Sequence, residues 1–188
     1  MNFRFTPLKL PDVIMVKTRG FSDDRGYFME SYRESTFAEG GIGARFVQDN
    51  RSLSSRGVLR GLHYQRPPFA QGKLVSVLQG EVFDVAVDLR PNSATFGQWV
   101  GELLSDENRL MLWIPEGFAH GFQATTRVAK VHYKTTTEYA PQADAGLRWN
   151  DPELAVEWPI LPPLLSAKDE ALPGLAQVRD DFAALEPQ

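Results

Sequence analysis

At residues 113–122 the chain reads WIPEGFAHGF, and this stretch says more about the fold than any other. Pro115 and Gly117 favour a tight turn, and the apolar residues on both sides favour strands. His120 follows the turn, where a strand of a small barrel would direct its side chain into the barrel mouth. The stretch RGLHYQ at 60–65 holds another of the three histidines in similar surroundings. Because histidine changes its charge near neutral pH, both stretches are candidates for proton transfer.

Length and composition indicate one globular domain. With 188 residues, 43% of them apolar and 23% charged, the chain is long enough for one substantial core and short for two. We therefore predict a single domain over residues 1–188. The net charge of −4 gives no general attraction for nucleic acid or for an anionic membrane. An anionic ligand must therefore be bound by local arginines and lysines.

The absence of cysteine restricts the available chemistry. It excludes disulfides, thiol nucleophiles and thiolate metal ligands, and it is consistent with a reducing cytoplasm. The first seven residues lack the apolar core of a secretory signal. No run approaches the roughly 18 apolar residues of a membrane span. We predict a cytoplasmic protein with neither a membrane nor a nucleic-acid partner.

Short strand-like segments separated by turn residues dominate the sequence. They predict a mainly β fold, a jelly-roll barrel or sandwich with short helices. A short helix is predicted at 35–39. The prolines from Pro159 onward predict a C-terminal wrap around the barrel, with a terminal helix at 175–185. The predicted strands are 13–17, 27–30, 45–50, 58–64, 74–78, 82–89, 97–104, 110–114 and 127–139.

Two segments alternate apolar and polar residues as strands do. In 83–89, four apolar residues share one face and the two aspartates share the other. In 129–135, Tyr133 lies on the apolar face, whereas His132 shares the opposite face with two lysines. We therefore expect Tyr133 inside the barrel and His132 at the surface.

The spacing Pro-x-Gly-x-x-His at 115–120 matches the second half of the cupin signature, in which a turn leads into a jelly-roll strand. The first half of that signature normally supplies His-x-His and a glutamate as metal ligands. The corresponding residues here are His63, Tyr64 and Gln65, so that ligand set is missing. With His120 alone and no cysteine, we predict neither a transition-metal site nor another cofactor. The alternative for His120 is a hydrogen-bonded turn residue.

Six motifs occur in order: VQDN at 47–50, LRGLH at 59–63, QGKLV at 71–75, GEVFDVAVD at 80–88, WIPEGFAHGF at 113–122 and WND at 149–151. Together they resemble the dTDP-4-dehydrorhamnose 3,5-epimerase family of metal-free cupins, from about residue 13 to residue 169. The resemblance implies a cupin-type jelly roll. It also implies conversion of dTDP-4-dehydro-6-deoxy-D-glucose to dTDP-4-dehydro-L-rhamnose in dTDP-L-rhamnose biosynthesis, which supplies lipopolysaccharide and O-antigen. That reaction removes a proton beside a ketone at C3 and C5 and reprotonates each enolate from the opposite face.

The resemblance assigns the catalytic roles. His63 is the base, paired with the carboxylate of Asp169, and Tyr133 is the acid on the far face. Lys73 stabilises the enolate oxygen, and Asp84 could orient Lys73 or His63. Each role has a plainer alternative: Asp169 as a helix N-cap, Tyr133 as barrel filler, and Asp84 as a solvent-facing strand residue.

The resemblance also implies substrate contacts and a partner. Members of the family are homodimers in which an N-terminal strand joins the partner's sheet. Two of the binding residues, Arg25 and Glu30, would then act in the neighbouring subunit's site. The binding residues implied for the sugar, thymine and diphosphate are Arg25, Glu30, Gln48, Asp49, Asn50, Arg60, Lys73, Asp84, His120, Tyr139, Asp144 and Lys168.

Three other functions stay open at this point. Epimerases of the same scaffold that invert one carbon share most of these motifs, although the set His63, Lys73, Tyr133 and Asp169 favours double epimerisation. A metal-dependent cupin oxygenase or isomerase is disfavoured by the missing ligands. A sugar-nucleotide binding module without catalysis is disfavoured by the presence of both a candidate base and a candidate acid.

Overall fold

The computed structural model describes residues 2–183, in which two antiparallel sheets contain most of the strands. The six-stranded sheet has the order β1-β2-β10-β7-β12-β5, whose strands are Phe3–Pro7, Ile14–Thr18, Leu110–Ile114, Lys73–Gln79, Val128–Thr135 and Gln48–Ser55. The five-stranded sheet has the order β13-β6-β11-β8-β9, whose strands are Asp144–Gly146, Leu59–Gln65, Phe118–Ala124, Glu81–Asp88 and Trp99–Ser105. A separate hairpin pairs β3 (Gly20–Asp23) with β4 (Gly26–Met29). The helices are short: α1 (Glu34–Glu39), α2 (Ala167–Glu170) and α3 (Leu175–Val178), with a 3-10 turn at Pro141–Ala143.

The two sheets face each other across an apolar core. Val75 and Val77 of β7 meet Val82 and Ala86 of β8 between the sheets. Because side chains alternate along a strand, the outer faces also need cover. Phe37 of α1, 0% exposed, packs on the outside of the six-stranded sheet, and C-terminal residues pack on the outside of the five-stranded sheet. This arrangement confirms the predicted mainly β fold with short helices and a C-terminal wrap.

Two histidines from the opening motifs lie side by side in the five-stranded sheet. β6 and β11 pair with His63 opposite His120, and the register shifts between His120 and Phe122. Gly61 permits the close approach of these strands, because a Cβ at its position would lie 2.5 Å from the Cα of Gly121. Its φ of 123° also lies in a region that other residues rarely adopt. A bulge bends a strand and redirects nearby side chains, so this irregularity contributes to the position of His63.

Several predicted elements differ from the observed ones. The strand β1 at the N-terminus is absent from the prediction. The predicted strand 127–139 ends at Thr135, because its hydroxyl donates to the carbonyl of Thr137 and the chain turns there. Of the helix predicted at 175–185, α3 covers the beginning, while residues 184 and 185 lie outside the described residues. None of the helices within residues 2–183 has the length and apolar character needed to span a membrane.

Both faces of β8 are buried, which corrects one expectation. Asp84 and Asp88 share a face, as the alternation predicts, and both are 0% exposed. The side chains on this face, which include Val82 and Ala86, point into the space between the two sheets. The solvent-facing alternative for Asp84 is therefore wrong, because the six-stranded sheet covers the face that the sequence pattern marks as polar.

Asp88 fixes the loop between β8 and β9. Its carboxylate accepts hydrogen bonds from the backbone and side chain of Arg90 and from the hydroxyls of Ser93 and Thr95, at 2.6–2.9 Å. Burial alone would raise the pKa of Asp88, but these donors outweigh it and hold the pKa below its usual value. Arg90 also contacts Asp12, which is half exposed, at 2.8 Å. The buried charge is thus fully paired, as the low dielectric of the interior requires.

Asp88→Ala should lower the free energy of unfolding by about 3 kcal/mol or more, because it leaves Arg90 and two hydroxyls without their buried acceptor. The matched control is Asp12→Ala, since Asp12 contacts the same guanidinium from an exposed position and should cost less than about 1 kcal/mol. Urea unfolding of the two variants measures the difference. Equal losses would contradict this account of the loop.

Candidate active site

A cavity of about 220 Å³ opens at one end of the barrel, beside the loop that follows β12. Its lining contains residues that the sequence predicts as a site and three that it does not. A larger groove of about 850 Å³ lies outside the barrel next to Trp113 and Glu116, and none of the predicted site residues is among the described residues that line it. The smaller cavity is therefore the candidate active site. It is lined by Gln48, Asn50, His63, Tyr64, Gln65, Gln71, Lys73, Tyr133, Tyr139, Asp144 and Lys168.

His63 and Asp169 form a dyad at the cavity. Nε2 of His63 lies 2.5 Å from Oδ1 of Asp169. Asp169 is the third residue of α2, whose N-cap is Ser166, so the N-cap alternative for Asp169 is wrong. The Ser166 hydroxyl contacts the other carboxylate oxygen at 2.9 Å. Burial raises the pKa of Asp169, but the hydrogen bonds from His63 and Ser166 outweigh it, so the pKa lies below its usual value. The carboxylate therefore stays ionised and can orient the imidazole and stabilise its protonated form.

Lys73 provides a buried cation beside the dyad. Its side chain is 8% exposed, and Nζ donates to the backbone carbonyl of His63 at 3.2 Å. Burial lowers the pKa of Lys73 to about 8, although the carboxylates of Asp84 and Asp144 oppose the shift. A desolvated ammonium in this position is suited to stabilise negative charge that develops in the cavity.

Asp84 and His120 form a second imidazole–carboxylate pair, behind the cavity. Nε2 of His120 lies 3.0 and 3.1 Å from the two carboxylate oxygens of Asp84. Burial lowers the pKa of His120, and Lys73 lowers it further, while Asp84 raises it in part. His120 is thus neutral at pH 7 and donates Nε2–H to Asp84. Asp84 hydrogen-bonds His120 rather than His63, and its negative charge acts on Lys73.

Tyr133 lines the cavity from the six-stranded sheet, whereas His63 lies on the five-stranded sheet. Its ring packs against the inner core, as the alternation predicts. Burial raises the pKa of the Tyr133 phenol, and Arg60 opposes that shift. The phenol is therefore protonated at neutral pH and can donate a proton. Arg60 is held nearby, since its guanidinium donates to the hydroxyl of Ser54 and the carbonyl of Leu53.

The cavity rim carries a three-residue cluster. Oδ2 of Asp144 accepts from the hydroxyl of Tyr139 at 3.0 Å and from Nζ of Lys168 at 2.5 Å. The Asp144 carboxylate raises the pKa of Lys168, which therefore stays cationic. On β5, the side-chain amide of Gln48 donates to Asn50 at 2.9 Å. An ammonium, a phenol and two amides are suited to bind the phosphates and base of a nucleotide.

Three predicted residues lie away from this cavity. Arg25 is at the turn of the β3–β4 hairpin, paired with Asp23 and largely exposed. Glu30 follows the hairpin and accepts from Asn2 and Arg33. Asp49 points to the opposite face of β5 from its two neighbours, where it accepts from Lys134 at 2.8 Å and lies 3.5 Å from the partly buried His132. The period of two in a strand accounts for that position.

Three lining residues were not predicted. Gln65 is 3% exposed, accepts from the backbone N–H of Ala140 and donates to the carbonyl of Glu138, so it holds the loop that carries Tyr139. Gln71 and Tyr64 also line the cavity. A polar residue directly after His63 and Tyr64 in an apolar strand is the signal that could have identified Gln65.

The described side chains supply an acid, a base and a cation around one cavity. His63 with Asp169 can accept a proton from one side, and Tyr133 can donate one from the opposing sheet. Lys73 lies next to the base and can stabilise an oxyanion formed between the two. Within residues 2–183, no three His, Asp or Glu side chains converge as a set that could hold a metal ion.

The chain is similar to known epimerases over most of its length. A family model described as dTDP-4-dehydrorhamnose 3,5-epimerase matches residues 7–177. The enzyme of that name from Pseudomonas aeruginosa is 58% identical over 166 residues, covering 87% of this chain and 91% of that protein. A dTDP-4-dehydrorhamnose 3-epimerase from Streptomyces niveus is 40% identical, covering 94% of this chain and 86% of that protein. The solved dTDP-6-deoxy-D-glucose-3,5-epimerase of Legionella pneumophila, in complex with dTDP-4-keto-L-rhamnose, has 46% identity, a TM-score of 0.92 and 96% coverage of both chains.

Fold, cavity and similarity together define a jelly-roll epimerase of the cupin type that acts on carbohydrates. The chain belongs to the dTDP-4-dehydrorhamnose 3,5-epimerase family.

Asp84→Asn should move the alkaline limb of the kcat/KM profile to lower pH by about one unit, because Lys73 loses its buried counter-charge and deprotonates more easily. In the unchanged protein, kcat/KM should fall above about pH 8, where Lys73 loses its proton. Asparagine still accepts from His120, so the geometry is kept.

The matched control is Asp88→Asn, which removes a buried carboxylate from the same face of β8. The carboxylate of Asp88 contacts Arg90 and not Lys73. Its pH–rate profile should keep the alkaline limb unchanged. An Asp84→Asn profile that overlays that of the unchanged protein would show that Asp84 does not set the charge of Lys73.

Proposed function

We propose that this protein is a dTDP-4-dehydrorhamnose 3,5-epimerase, which converts dTDP-4-dehydro-6-deoxy-D-glucose to dTDP-4-dehydro-L-rhamnose. The observation that carries the proposal is the placement of the His63–Asp169 dyad, Lys73 and Tyr133 around one cavity. The epimerisation needs a base, an acid on the other face and a group that stabilises the enolate, and these residues meet the three requirements.

The reaction is a proton exchange at carbon, repeated at C3 and C5. His63 takes the proton from the carbon next to the C4 ketone, and the C–H electrons form an enolate whose charge resides on the C4 oxygen. Lys73 donates to that oxygen. Tyr133 then returns a proton to the same carbon from the opposite face, and the ketone re-forms. His63 releases its proton and the Tyr133 phenolate regains one, so the reaction is a net isomerisation without an oxidant.

The nucleotide end of the substrate would be bound by the rim and by β5. Lys168 at the rim would supply positive charge for the diphosphate, and the half-exposed ring of Tyr139 can stack on thymine. Arg60 does not line the cavity, but its charge acts on Tyr133 and it would be a second cation for the diphosphate. The amides of Gln48 and Asn50 line the same cavity and can donate to substrate oxygens. The complex of the L. pneumophila relative with dTDP-4-keto-L-rhamnose supports this substrate class.

Single-carbon epimerisation is the second candidate. It is favoured by the 40% identity to the 3-epimerase of S. niveus. The higher identity to double epimerases favours inversion at two carbons.

We further propose a homodimer with exchange of the N-terminal strands, in which Arg25 and Glu30 complete the neighbouring subunit's site. Support comes from the β3–β4 hairpin, where Phe28 is 75% exposed and Tyr27 is 54% exposed. Arg25 of that hairpin is exposed and is not among the described residues that line its own chain's cavity. Exposed aromatic residues on one hairpin are typical of an interface. The match of one family model over residues 7–177 supports a single domain, and the absence of cysteine supports a cytoplasmic location.

Incubation with dTDP-4-dehydro-6-deoxy-D-glucose in deuterated water tests the reaction. Deuterium should enter at both C3 and C5, because each carbon loses its proton to His63 and gains a solvent-derived one. Mass spectrometry and NMR of the product read the positions. Label at one carbon would instead establish the single-carbon epimerase, and no label at either carbon would refute both.

Two variants assign the acid and the base in the same assay. His63→Ala should abolish exchange at both carbons. Tyr133→Phe should slow product formation more than the initial proton loss, because it removes the acid and leaves the base. Equal damage to both steps in Tyr133→Phe would count against its role as the acid.

Complementation between subunits tests the shared site. The Arg25→Ala homodimer should be weakly active and the His63→Ala homodimer inactive, because each lacks one residue at both sites. Unfolding and reassembling the two together should restore about a quarter of full activity, since about half of the dimers are mixed and each mixed dimer has one intact site. Mixtures no more active than their parents would show that Arg25 does not act across an interface.

A further inference from the structure

The C-terminal segment, residues 164–183, contacts two adjacent residues of β6 from opposite sides. Asp169 of this segment meets His63 at the cavity. Asp181, twelve positions further along, meets Tyr64 at 2.5 Å. Adjacent residues of a strand point to opposite faces of the sheet, so the segment passes from the cavity side of β6 to its outer side.

The outer contact is a three-group cluster. The hydroxyl of Tyr64 and Nε of Arg66 both donate to Oδ2 of Asp181, the latter at 2.9 Å. Tyr64 is 2% exposed, and its ring packs on Phe182 with a centroid distance of 5.1 Å. Burial and the neighbouring Asp181 raise the pKa of Tyr64, so its hydroxyl keeps its proton as a donor. The mechanism proposed above uses none of these residues.

Both ends of the segment are joined to β6 and the residues that precede it. At the start, the backbone of Leu164 exchanges hydrogen bonds with Gly57 and Leu59, at 2.8 and 3.0 Å. At the end, Asp181 accepts hydrogen bonds from Tyr64, near the other end of the strand, and from Arg66, just beyond it. Asp169 lies between these two attachments and faces His63, which precedes Tyr64 in the strand.

The segment needs directional attachments to place Asp169. α2 has four residues, about one turn, so it cannot maintain its own geometry without tertiary contacts. Leu175, Val178 and Phe182 bury apolar surface on the outer face of the five-stranded sheet. That burial is non-directional and keeps the segment on the sheet without fixing its register. Two directional bonds hold the middle of the segment, from the backbone N–H of Arg148 to the carbonyl of Pro173 and from the backbone N–H of Leu175 to Asp151. The charge-assisted bonds to Asp181 complete that register at the end of the segment.

We propose that Asp181 is a positioning residue that holds the C-terminal segment in the register which places Asp169 against His63. The inference rests on the proposed function, because the position of Asp169 affects turnover only if His63 is the base. Tyr64 and Arg66 act with Asp181 as the donors of the clamp. Asp181 and Arg66 do not line the cavity, and the hydroxyl of Tyr64, which borders it, is directed to Asp181.

Asp181→Asn tests the clamp, because it keeps the size of the side chain and removes its charge. It should lower kcat by about tenfold, since a misplacement of about 1 Å in a catalytic group can cost on the order of 100-fold. KM should stay within about twofold, because Gln48, Asn50 and Lys168 still line the cavity. Tyr64→Phe, which keeps the ring packed on Phe182, should lower kcat in the same direction. Thermal unfolding confirms that each variant is folded at the assay temperature.

Asp180→Asn is the matched control, because Asp180 is exposed and adjacent to Asp181. It should leave kcat unchanged.

A second experiment combines Asp181→Asn with Asp169→Asn. The rate at which substrate protons exchange with deuterated solvent is measured in the unchanged protein, in the two single variants and in the double variant. If Asp181 acts through Asp169, the double variant should be as slow as Asp169→Asn alone. An equal further loss in the Asp169→Asn background, or an unchanged kcat in Asp181→Asn, would overturn the clamp. An unchanged kcat in Asp169→Asn would instead refute the proposed dyad.

Discussion

The hydrogen bond between His63 and Asp169 joins a strand of the barrel to the C-terminal segment, across 106 positions of the chain. An imidazole in a cavity can serve as a base only if its orientation and its protonated form are both stabilised, and the carboxylate does both. The surrounding structure meets that requirement. The bulge between β6 and β11 places His63, the capped turn of α2 places Asp169, and the segment is attached at both of its ends.

The interior of this barrel holds several charges, and the buried aspartates of β8 between the sheets have partners. Asp88 is paired with Arg90 at the β8–β9 loop, while Asp84 accepts from His120 and attracts Lys73. An isolated charge between the two sheets would cost several kcal/mol or more, so pairing is a condition of folding. Lys73 differs from these aspartates, and the difference fits its proposed role. Its only direct acceptor among the described residues is a backbone carbonyl, which leaves the ammonium able to donate to a new oxyanion.

The sequence predicted those parts of the site that local periodicity controls. Alternation placed Tyr133 towards the core and put Asp84 on one face with Asp88, and the turn motif indicated the strand that carries His120. The same period of two turns Asp49 away from the cavity, whereas the resemblance places Asp49 among the binding residues with its neighbours Gln48 and Asn50. The contact of Asp181 with Tyr64 spans 117 positions, and no local pattern can indicate it. Burial of the polar face of β8 likewise depends on the opposing sheet, which periodicity within one strand does not describe.

A chain with a net charge of −4 has no overall field that attracts a diphosphate, so the attraction must come from local groups. Lys168, which we propose as a cation for the diphosphate, is held in an ordered position. Asp144 holds its ammonium at the cavity rim and raises its pKa, so the cation is present and positioned before a ligand arrives. A long flexible side chain loses conformational entropy when it is immobilised on binding, and prior ordering by Asp144 removes part of that cost. The acidic residue at the rim thus orders the cation that an anionic ligand would meet, while its own negative charge opposes that ligand.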